Sequence, residues 1–500
     1  MLSDSSIENL INRNPKFDDI TSSLQAIAKL PKAIDKETKK VIALARKFTD
    51  EEVKPHAIDL DRRMFEEPDY LPRDFVKKAN EWGLYSRWLP KAVGGEGINL
   101  PSLTFFLEEV ASVCLSMANL IGVHYLGVVS LSASFNMRLF KKICKETVAG
   151  YRNGKPCLIS LAITEPGAGT DVEETELVDK GNIACHAEKV KDGYVLNGSK
   201  VFISNGHLST WHIVIAYGDL KRPSESMVML AVKTGAEGFS FGRQERKMGQ
   251  KACPASELVF KDCFIPDEYV CIDADQMKHL SLSSREIAQR IVDHVLSPSR
   301  GGVGAFGAGV ARGAYESALE FASETKVAGK LLINHEWAQC MLAEMCKNVM
   351  LARLSYIETN YANSLHGSFK QLLSKPAYFF NQYVPKLFLE KFFAPLLDHP
   401  SSTNQARKQN LEGQTVSEQQ RTSGWASLSK FSATDLAVKN CHMALEMMGQ
   451  AGLRHDRRVE KHFRDAKLLQ IYEGTNQLNR LNVFKCFIGR SFPQAVVFDE

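Results

Sequence analysis

The feature that most constrains the fold of this chain is a block of short strand-like runs that lies between two helical blocks. From residue 40 to about 155, apolar residues such as Ile42 and Phe48 recur with the spacing of an amphipathic helix. Between about residues 157 and 271 the pattern changes to short runs of strand formers bounded by Gly, Asp, Ser or Asn. Helical spacing returns from about residue 280. This order predicts an α+β protein with an N-terminal helical domain, a small central β-domain of barrel or sandwich type, and a C-terminal helical bundle.

The same changes in pattern place the domain boundaries. We predict an N-terminal extension over residues 1–39, a helical domain over 40–155, a β-domain over 156–275 and a helical domain over 276–500. Within the last domain, residues 374–424 form a longer stretch than a connection between two helices requires, so we interpret it as an insertion. A cofactor held at the junction between the β-domain and the helical domains is a common arrangement.

The predicted insertion has an aromatic, helix-like first half and a polar second half, residues 401–420, that is expected to be mobile. A large apolar patch is rarely exposed without a use, so the aromatic face is expected to be buried against the same subunit or a second copy of the chain. A membrane surface or a partner protein is the alternative, although Lys386 and Lys391 are the only basic residues among these aromatics. The apolar residues are Tyr378, Phe379, Phe380, Leu387, Phe388, Phe392 and Phe393.

Composition narrows the class of protein. The 62 basic and 58 acidic side chains nearly balance, so nucleic acid is not an expected partner. We find no run of about eighteen apolar residues and no apolar leader segment, and therefore predict neither a transmembrane helix nor secretion. The 11 cysteines are scattered and odd in number, which is typical of reduced thiols in a cytoplasmic protein. Without a Cys-x-x-Cys or a His-x-x-x-His motif, no metal site is predicted.

Two segments of the predicted β-domain have the chemistry of a ligand site. In residues 161–171 a hydrophobic run ends at Thr164, and the Pro and Gly residues that follow force an irregular loop whose N–H groups are available to a phosphate or a polar ring edge. In residues 197–206, a short strand is bounded by two turns. Phe202 and Ser204 are two apart on that strand and share one face, so both are able to meet one flat ligand.

A third segment, residues 472–475, places a carboxyl group beside a glycine. Glu473 follows an apolar run and Tyr472, an environment that disfavours the charged carboxylate and raises its pKa toward the range of a general base. Gly474 removes a side chain where a substrate would have to approach. The alternative is a turn leading into a helix that Thr475 or Asn476 caps.

Together the three segments resemble the acyl-CoA dehydrogenase family. The family pattern combines a Thr-Glu-Pro-Gly-Ala-Gly-Ser/Thr-Asp loop, an aromatic-Ile-Thr/Ser-Asn-Gly strand and an Ile-Tyr-Glu-Gly-Thr-x-Gln stretch, and all three occur here in the family order. The resemblance implies FAD as cofactor and α,β-dehydrogenation of an acyl-CoA thioester to the trans-2-enoyl-CoA. It also implies an electron-transferring flavoprotein as electron acceptor, and a homodimer or homotetramer.

The resemblance also assigns roles to individual residues. Glu473 matches the catalytic base, and its backbone N–H matches a donor to the thioester oxygen. Thr170, Arg300 and Glu473 match substrate-binding positions. Some family members carry the base one residue before that arginine, where this chain has Ser299, which cannot abstract a proton unaided. The residues that match FAD contacts are Ile163, Thr164, Gly169, Thr170, Phe202, Ile203, Ser204, Gly474, Thr475 and Gln477.

Departures from the family pattern fall on the half of the site expected to bind the ADP part of FAD. Thr325 and Ala328 stand where the family has Arg and Phe, and Glu336 and Glu446 stand where it has neutral amides. Losing the arginine removes a bidentate phosphate donor, so weaker FAD binding, contact through Lys326 or an altered dimer is expected. These changes keep two alternatives open: a non-catalytic or scaffold member, and a flavin oxidase or nitroalkane-type relative.

Acyl length is the remaining open question, because the bulk of one side chain in the pocket floor changes it. That floor is expected to come from the Val123–Leu126 region, residues 123–126.

Overall fold

The computed structural model describes residues 21–492 and 494–498 and confirms the predicted fold class. An N-terminal group of helices is followed by one sheet and then by a C-terminal group dominated by three long helices. The helices are α1 (Ser23–Lys29), α2 (Ala33–Phe48), α3 (Ala57–Glu66), α4 (Arg73–Glu81), α5 (Pro101–Ala111), α6 (Leu115–Ala133), α7 (Met137–Arg152), α8 (Thr175–Val178), α9 (Ala274–Met277), α10 (Ser284–Glu324), α11 (Glu336–His366), α12 (Lys370–Leu373), α13 (Lys375–Tyr383), α14 (Lys386–Phe388), α15 (Pro400–Arg407), α16 (Val416–Met448), α17 (Val459–Leu469) and α18 (Asn476–Val483).

Regular structure in the N-terminal group begins before residue 40, within the range of the predicted extension. Helix α1 and the first part of α2 fall within the range predicted to be an extension, whose first 20 residues lie outside the described part of the chain.

Helix α6 of the same group is long and apolar enough to cross a membrane by length and composition, and it was not singled out from the sequence. In the most apolar stretch of α6, 78% is buried inside the protein, which is typical of the core helix of a globular domain.

The central domain is one eight-stranded sheet with the order β6-β7-β3-β2-β4-β5-β8, and β1 adds in parallel to β4. Along β4 the side chains alternate: Ile213 and Ile215 join the main helical core, whereas Val214 and Ala216 join a second core on the other face of the sheet. A two-stranded hairpin, β9–β10, lies apart from this sheet. The strands are β1 (Ile159–Ala162), β2 (His186–Val190), β3 (Gly193–Ser204), β4 (Trp211–Tyr217), β5 (Met227–Lys233), β6 (Phe239–Gln244), β7 (Ala255–Pro266), β8 (Val270–Ile272), β9 (Lys326–Val327) and β10 (Lys330–Leu331).

The C-terminal domain is built on α10, α11 and α16, which pack on one another. The sequence predicts one helix start at the glycine run from Gly301 to Gly309 and another at Ser432, and both predicted starts are wrong. The glycine-rich run lies in the middle of α10, which begins earlier at a capping box formed by Ser283 and Glu286. Helix α16 begins at a second capping box, Thr415 with Glu418, and not at residue 432. Both starts were hard to predict because a long helix that is buried on several sides has weak hydrophobic periodicity, and the two capping boxes were not recognised in the sequence.

The glycines of α10 let neighbouring helices approach closely. A Cβ atom on Gly307 would lie 2.8 Å from the backbone of Ala433 in α16. On the opposite side, a Cβ atom on Gly309 would lie 2.6 Å from the carbonyl oxygen of Glu108 in α5. Helix α10 is therefore the axis against which the N-terminal helices and α16 both pack.

The insertion is folded along its whole length and packs on the N-terminal helices. Its polar half is not a mobile loop, because it forms α15, whose last residue Arg407 is buried and donates hydrogen bonds to the carbonyl oxygens of Ser134 and Cys271. Its aromatic half is buried only in part: Tyr378 and Leu389 are covered, but the other apolar residues of the predicted face are exposed on the single chain. Most of them are therefore not buried within the same subunit, and their burial against a second copy of the chain stays a prediction. Their exposed fractions are 38% for Phe379, 46% for Phe380, 80% for Leu387, 50% for Phe388, 54% for Phe392 and 39% for Phe393.

Candidate active site

A cavity of about 180 Å³ lies where the sheet meets α5, α6 and α10. Apolar side chains from the N-terminal helices and α10 form much of its lining. From the predicted 123–126 floor, Val123, Tyr125 and Leu126 line the cavity, whereas His124 points into the core and bonds to the backbone of Tyr85 and Ile159. The cavity also brings together six of the residues that the sequence predicted for the site, from three distant segments. These are Ile163, Thr164, Phe202, Ile203, Ser204 and Glu473.

One wall of the cavity is a flat surface formed by the end of β3 and the loop after β1. Phe202 keeps 57% of its surface exposed and has a φ of +57°, a left-handed conformation that is uncommon for a non-glycine residue. The pairing of β3 with β7 shifts register between Lys200 and Ile203, and this irregularity turns the Phe202 ring outward. Backbone strain of this kind is found where a side chain must be aimed at a ligand.

A buried ion pair holds the two halves of that wall together. Lys200 and Glu165 are both fully buried, 2.7 Å apart, and Lys200 also donates to the carbonyl oxygen of Ile163. The other carboxylate oxygen of Glu165 accepts the backbone N–H of Ala184, and the carbonyl of Thr164 accepts the N–H of Val201. Neither Lys200 nor Glu165 was predicted from the sequence as a site residue, although an acidic and a basic residue inside two apolar segments are a signal for such a pairing.

Glu473 lies in a tight turn between α17 and α18. Its φ is +56° and that of Gly474 is +73°, so two successive residues are left-handed and the chain reverses sharply. Thr475 then caps α18 by accepting the N–H of Leu478, which is the helix-cap geometry considered above as an alternative. The cap and the site coexist, because the turn that starts the helix is the one that directs the Glu473 side chain into the cavity.

Three buried charged side chains hold the Glu473–Gly474 turn in place. Arg300 donates to the carbonyl of Glu473 (3.1 Å), and Lys430 donates to the carbonyl of Gly474 (2.6 Å). Glu173 accepts the N–H of Gly474 (2.7 Å) and pairs with Arg300 (3.0 Å). Neither Lys430 nor Glu173 was identified from the sequence, because their contacts join segments that are 44 and 301 residues from Gly474.

The electrostatics of this turn suit proton transfer. Burial, followed by the nearby charge of Glu173, raises the pKa of Glu473 to about 7, while the Ser299 hydroxyl and the charges of Arg300 and Lys430 act in the opposite direction. Among the described residues, the buried oxygen Oε2 of Glu473 has no hydrogen-bond partner. A carboxyl that titrates near neutral pH and presents a free oxygen to an apolar cavity is well suited to accept a proton from a bound molecule.

The other predicted site residues lie outside the cavity lining. Arg300 is 1% exposed, so it is not a surface charge; it lies behind the Glu473 turn, and its substrate contact was predicted from the resemblance alone. Gly169 and Gln477 are exposed, and the Cβ position of Gly169 has no atom within 4 Å. Such an open, glycine-bearing loop leaves space for a ligand backbone contact. The remaining three, Thr170, Gly474 and Thr475, flank the cavity in sequence without lining it.

The predicted ADP half of the site lies outside the lining of this cavity, since none of its variant positions lines it. Thr325 ends α10, and Ala328 lies at the tip of the β9–β10 hairpin with a φ of +48°. Glu336 and Glu446 are exposed, and so is Lys326.

A group of metal-ligand residue types was not predicted from the sequence. Asp61, His455 and Glu460 place ligand-type atoms within 4.8 Å of one another. Arg464 already binds both carboxylates, to Asp61 at 2.7 Å and to Glu460 at 2.7 Å. Because a guanidinium supplies the positive charge that these carboxylates need, the group is better described as an ion-pair network than as a metal centre.

Comparison with known proteins agrees with this geometry. Three family profiles match: the N-terminal domain of acyl-CoA dehydrogenase over residues 35–135, the middle domain over 160–263, and the C-terminal domain over 289–366 and 406–486. The interruption of the last match, residues 367–405, overlaps the predicted insertion.

Individual relatives extend over nearly the whole chain. A "probable acyl-CoA dehydrogenase" of Mycobacterium tuberculosis is 27% identical over 94% of this chain and 96% of its own length. The cyclohex-1-ene-1-carbonyl-CoA dehydrogenase of Syntrophus aciditrophicus is 27% identical over 90% of this chain and 89% of its own. Among solved structures, butyryl-CoA dehydrogenase from Megasphaera elsdenii has a TM-score of 0.68 at 23% identity, covering 90% of this chain and 97% of that one.

The fold and the site thus define a flavoprotein oxidoreductase with a helical–β–helical architecture. With three profiles of one family matching most of its length, the chain belongs to the acyl-CoA dehydrogenase family.

Proposed function

We propose that this protein removes the α and β hydrogens of an acyl-CoA thioester to give the trans-2-enoyl-CoA, with Glu473 as the base that takes the α-proton. The observation that carries the proposal is the Glu473 carboxyl, with its pKa raised to about 7 and its oxygen Oε2 unpaired among the described residues, directed into an apolar cavity. A non-catalytic scaffold would have no reason to keep a buried carboxyl unpaired in this way.

FAD is the cofactor that the family implies, and the residues of the flat wall fit its ring system. The exposed, outward-turned ring of Phe202, the hydroxyl of Ser204 and the fixed segment of Ile163 and Thr164 provide one apolar face and polar edges, as a flavin ring needs. When bound, FAD supplies the hydride acceptor for the β-carbon. We assign Gly169, Thr170, Ile203, Gly474, Thr475 and Gln477 to further contacts with FAD by resemblance.

The chain itself supplies the proton chemistry and the polarisation of the thioester. The backbone N–H of Glu473 has no acceptor within the described part of the chain, so it is available to the thioester oxygen, where negative charge develops as the α-proton leaves. Arg300 holds the carbonyl of the same residue and so fixes the direction of the Glu473 peptide. The apolar walls from α5, α6 and α10 exclude water, which strengthens both interactions. An electron-transferring flavoprotein as acceptor, and a homodimer or homotetramer, complete the proposal.

The test is reduction of the bound flavin without oxygen. We expect the purified protein to be yellow and to be bleached anaerobically by acyl-CoA thioesters, scanned from short to long chains to find the preferred substrate. Glu473→Gln should keep the flavin absorbance but lose bleaching, because the amide has the same shape and cannot accept the proton. Bleaching of that variant at the wild-type rate removes Glu473 from the role of base. Rapid reoxidation by air with peroxide release, in place of transfer to a flavoprotein acceptor, would identify an oxidase.

A further inference from the structure

A second carboxyl group, Glu173, lies beside the proposed base and takes part in the same cavity wall. It ends the short helical turn Thr170–Glu173 that follows the loop after β1, and its side chain is 12% exposed. We propose that Glu173 is a positioning residue: its carboxylate fixes the Glu473–Gly474 turn, and its negative charge sets the pH range over which Glu473 accepts a proton. This inference rests on the proposed role of Glu473 as base.

The geometry gives Glu173 a defined hold on the turn. One carboxylate oxygen accepts the N–H of Gly474 at 2.7 Å, and the other accepts from Arg300 at 3.0 Å. Arg300 in turn donates to the carbonyl of Glu473, so a single carboxylate reaches the turn both directly and through the guanidinium. Burial raises the pKa of Glu173, while Arg300, Lys430 and the N–H of Gly474 act in the opposite direction, so the hydrogen bonds favour the ionised carboxylate against the cost of its burial.

The charges that face Glu473 come from three elements. Glu173 approaches from the loop after β1, Arg300 from α10 together with the hydroxyl of Ser299, and Lys430 from α16. Of these, only Glu173 disfavours a negative charge on Glu473, and the two cations favour it. Removing the charge of Glu173 therefore lowers the pKa of Glu473 in two ways: a repelling carboxylate is lost, and Arg300 loses the partner that partly neutralises it.

Loss of the Glu173 charge should extend the activity to lower pH. The base works only when deprotonated, so the rate of flavin reduction rises with pH through the pKa of Glu473. Glu173→Gln should move this rise to lower pH, by roughly 1 unit for a charge change a few ångströms away in a partly screened site. Glu173→Asp keeps the charge, so its rise should stay close to that of the wild type even if its rate is reduced. A residue that only supported the loop would lower the rate of both variants and leave the midpoint of the rise in place.

Glu176→Gln is the control. Glu176 lies three residues further along the chain, its side chain is 42% exposed, and it pairs with Lys485 at 3.0 Å. The substitution removes a nearby carboxylate that has no contact with the Glu473–Gly474 turn among the described residues, and we expect the midpoint of the pH rise to be unchanged.

The experiment measures anaerobic flavin reduction of the FAD-loaded full chain by a saturating acyl-CoA between pH 5 and 9. A downward shift in Glu173→Gln, absent from Glu173→Asp and Glu176→Gln, supports the proposal. No shift in Glu173→Gln, or an equal shift in the Asp variant, overturns it. If Glu173→Gln does not retain FAD, Glu173→Ala gives the same comparison. Loss of reduction in Glu473→Gln with no shift in Glu173→Gln refutes this inference alone, whereas full reduction by Glu473→Gln refutes the proposed base.

Discussion

Replacing Glu473 by Gln should stabilise the protein, and by more at alkaline than at acidic pH. The folded protein holds this carboxyl where burial and Glu173 disfavour its charge, so its pKa is about 7 against an ordinary value of 4.5. A carboxyl whose pKa is raised on folding destabilises the folded state as pH rises from the unfolded value toward the folded one. Gln carries no charge at any pH, and the substitution removes this penalty.

The size of the effect follows from the two pKa values. One unit of pKa difference corresponds to about 1.4 kcal/mol, so the penalty is about 3 kcal/mol at pH 8, above both values. At pH 5, where the folded-state carboxyl is protonated and the unfolded one is only partly ionised, it falls to about 1 kcal/mol. The variant should therefore gain about 2 kcal/mol more at pH 8 than at pH 5. With an unfolding entropy of about 2.1 cal/mol/K per residue, a chain of 500 residues shifts by roughly 1 °C per kcal/mol.

The assay is the difference in Tm between variant and wild type, both fully loaded with FAD, measured at pH 5 and at pH 8. We expect the difference to be roughly 2 °C larger at pH 8. Glu66→Gln, at an exposed glutamate of α3, is the control and should show the same small difference at both pH values. A stability change that is equal at pH 5 and pH 8 would show that the Glu473 carboxyl is not held in a charge-disfavouring site, and the argument for its role as a base near neutral pH would lose its physical ground.

Two further predictions concern the cofactor and the insertion. Because Thr325 stands in place of a phosphate-binding arginine, the protein should lose FAD during purification without added cofactor, and the Lys326→Ala variant should lose more. The measurement is the ratio of flavin to protein absorbance. Full and non-exchanging FAD occupancy in the Lys326→Ala variant would refute this prediction. Deleting residues 373–408 and joining the ends with a short Gly/Ser linker is feasible because the side chains of Gln371 and Gln409 are 3.1 Å apart. The deletion uncovers the surface of the N-terminal helices, so it should cause aggregation or a changed oligomer mass, measured by light scattering, or a lower Tm, measured by thermal melting. A truncated protein with unchanged mass, Tm and FAD content would show that the insertion is not structural.

The residue pattern predicted the class of fold and three segments that meet at one cavity. Strand and helix periods differ, so the block of strands between residues 157 and 271 is visible in the residue pattern, and it became the eight-stranded sheet. The ligand-site segments are local too: the residue order that makes the turn at Glu473 and the irregular end of β3 at Phe202 is contiguous in the chain. Environments made by neighbours in sequence, such as the apolar run before Glu473, were therefore predictable.

Where long helices begin was less predictable, and so was the state of the insertion. The polar half of the insertion is helical because Arg407 finds two buried carbonyl acceptors on other elements, and no local pattern announces them. The three long helices α10, α11 and α16 are buried on several sides, which weakens the periodicity from which helix ends are inferred.

The charges that surround Glu473 are visible only in the folded protein. Glu173, Arg300 and Lys430 come from three separate segments, and each contacts the Glu473–Gly474 turn over a sequence separation of 44 residues or more. Electrostatic interactions depend on distance and burial and not on order in the chain, so a sequence shows that a carboxyl is present but not whether another carboxyl or a cation lies beside it. The sequence shows that Glu473 is a carboxyl after an apolar run; the charges that shift its pKa are brought together only by the fold.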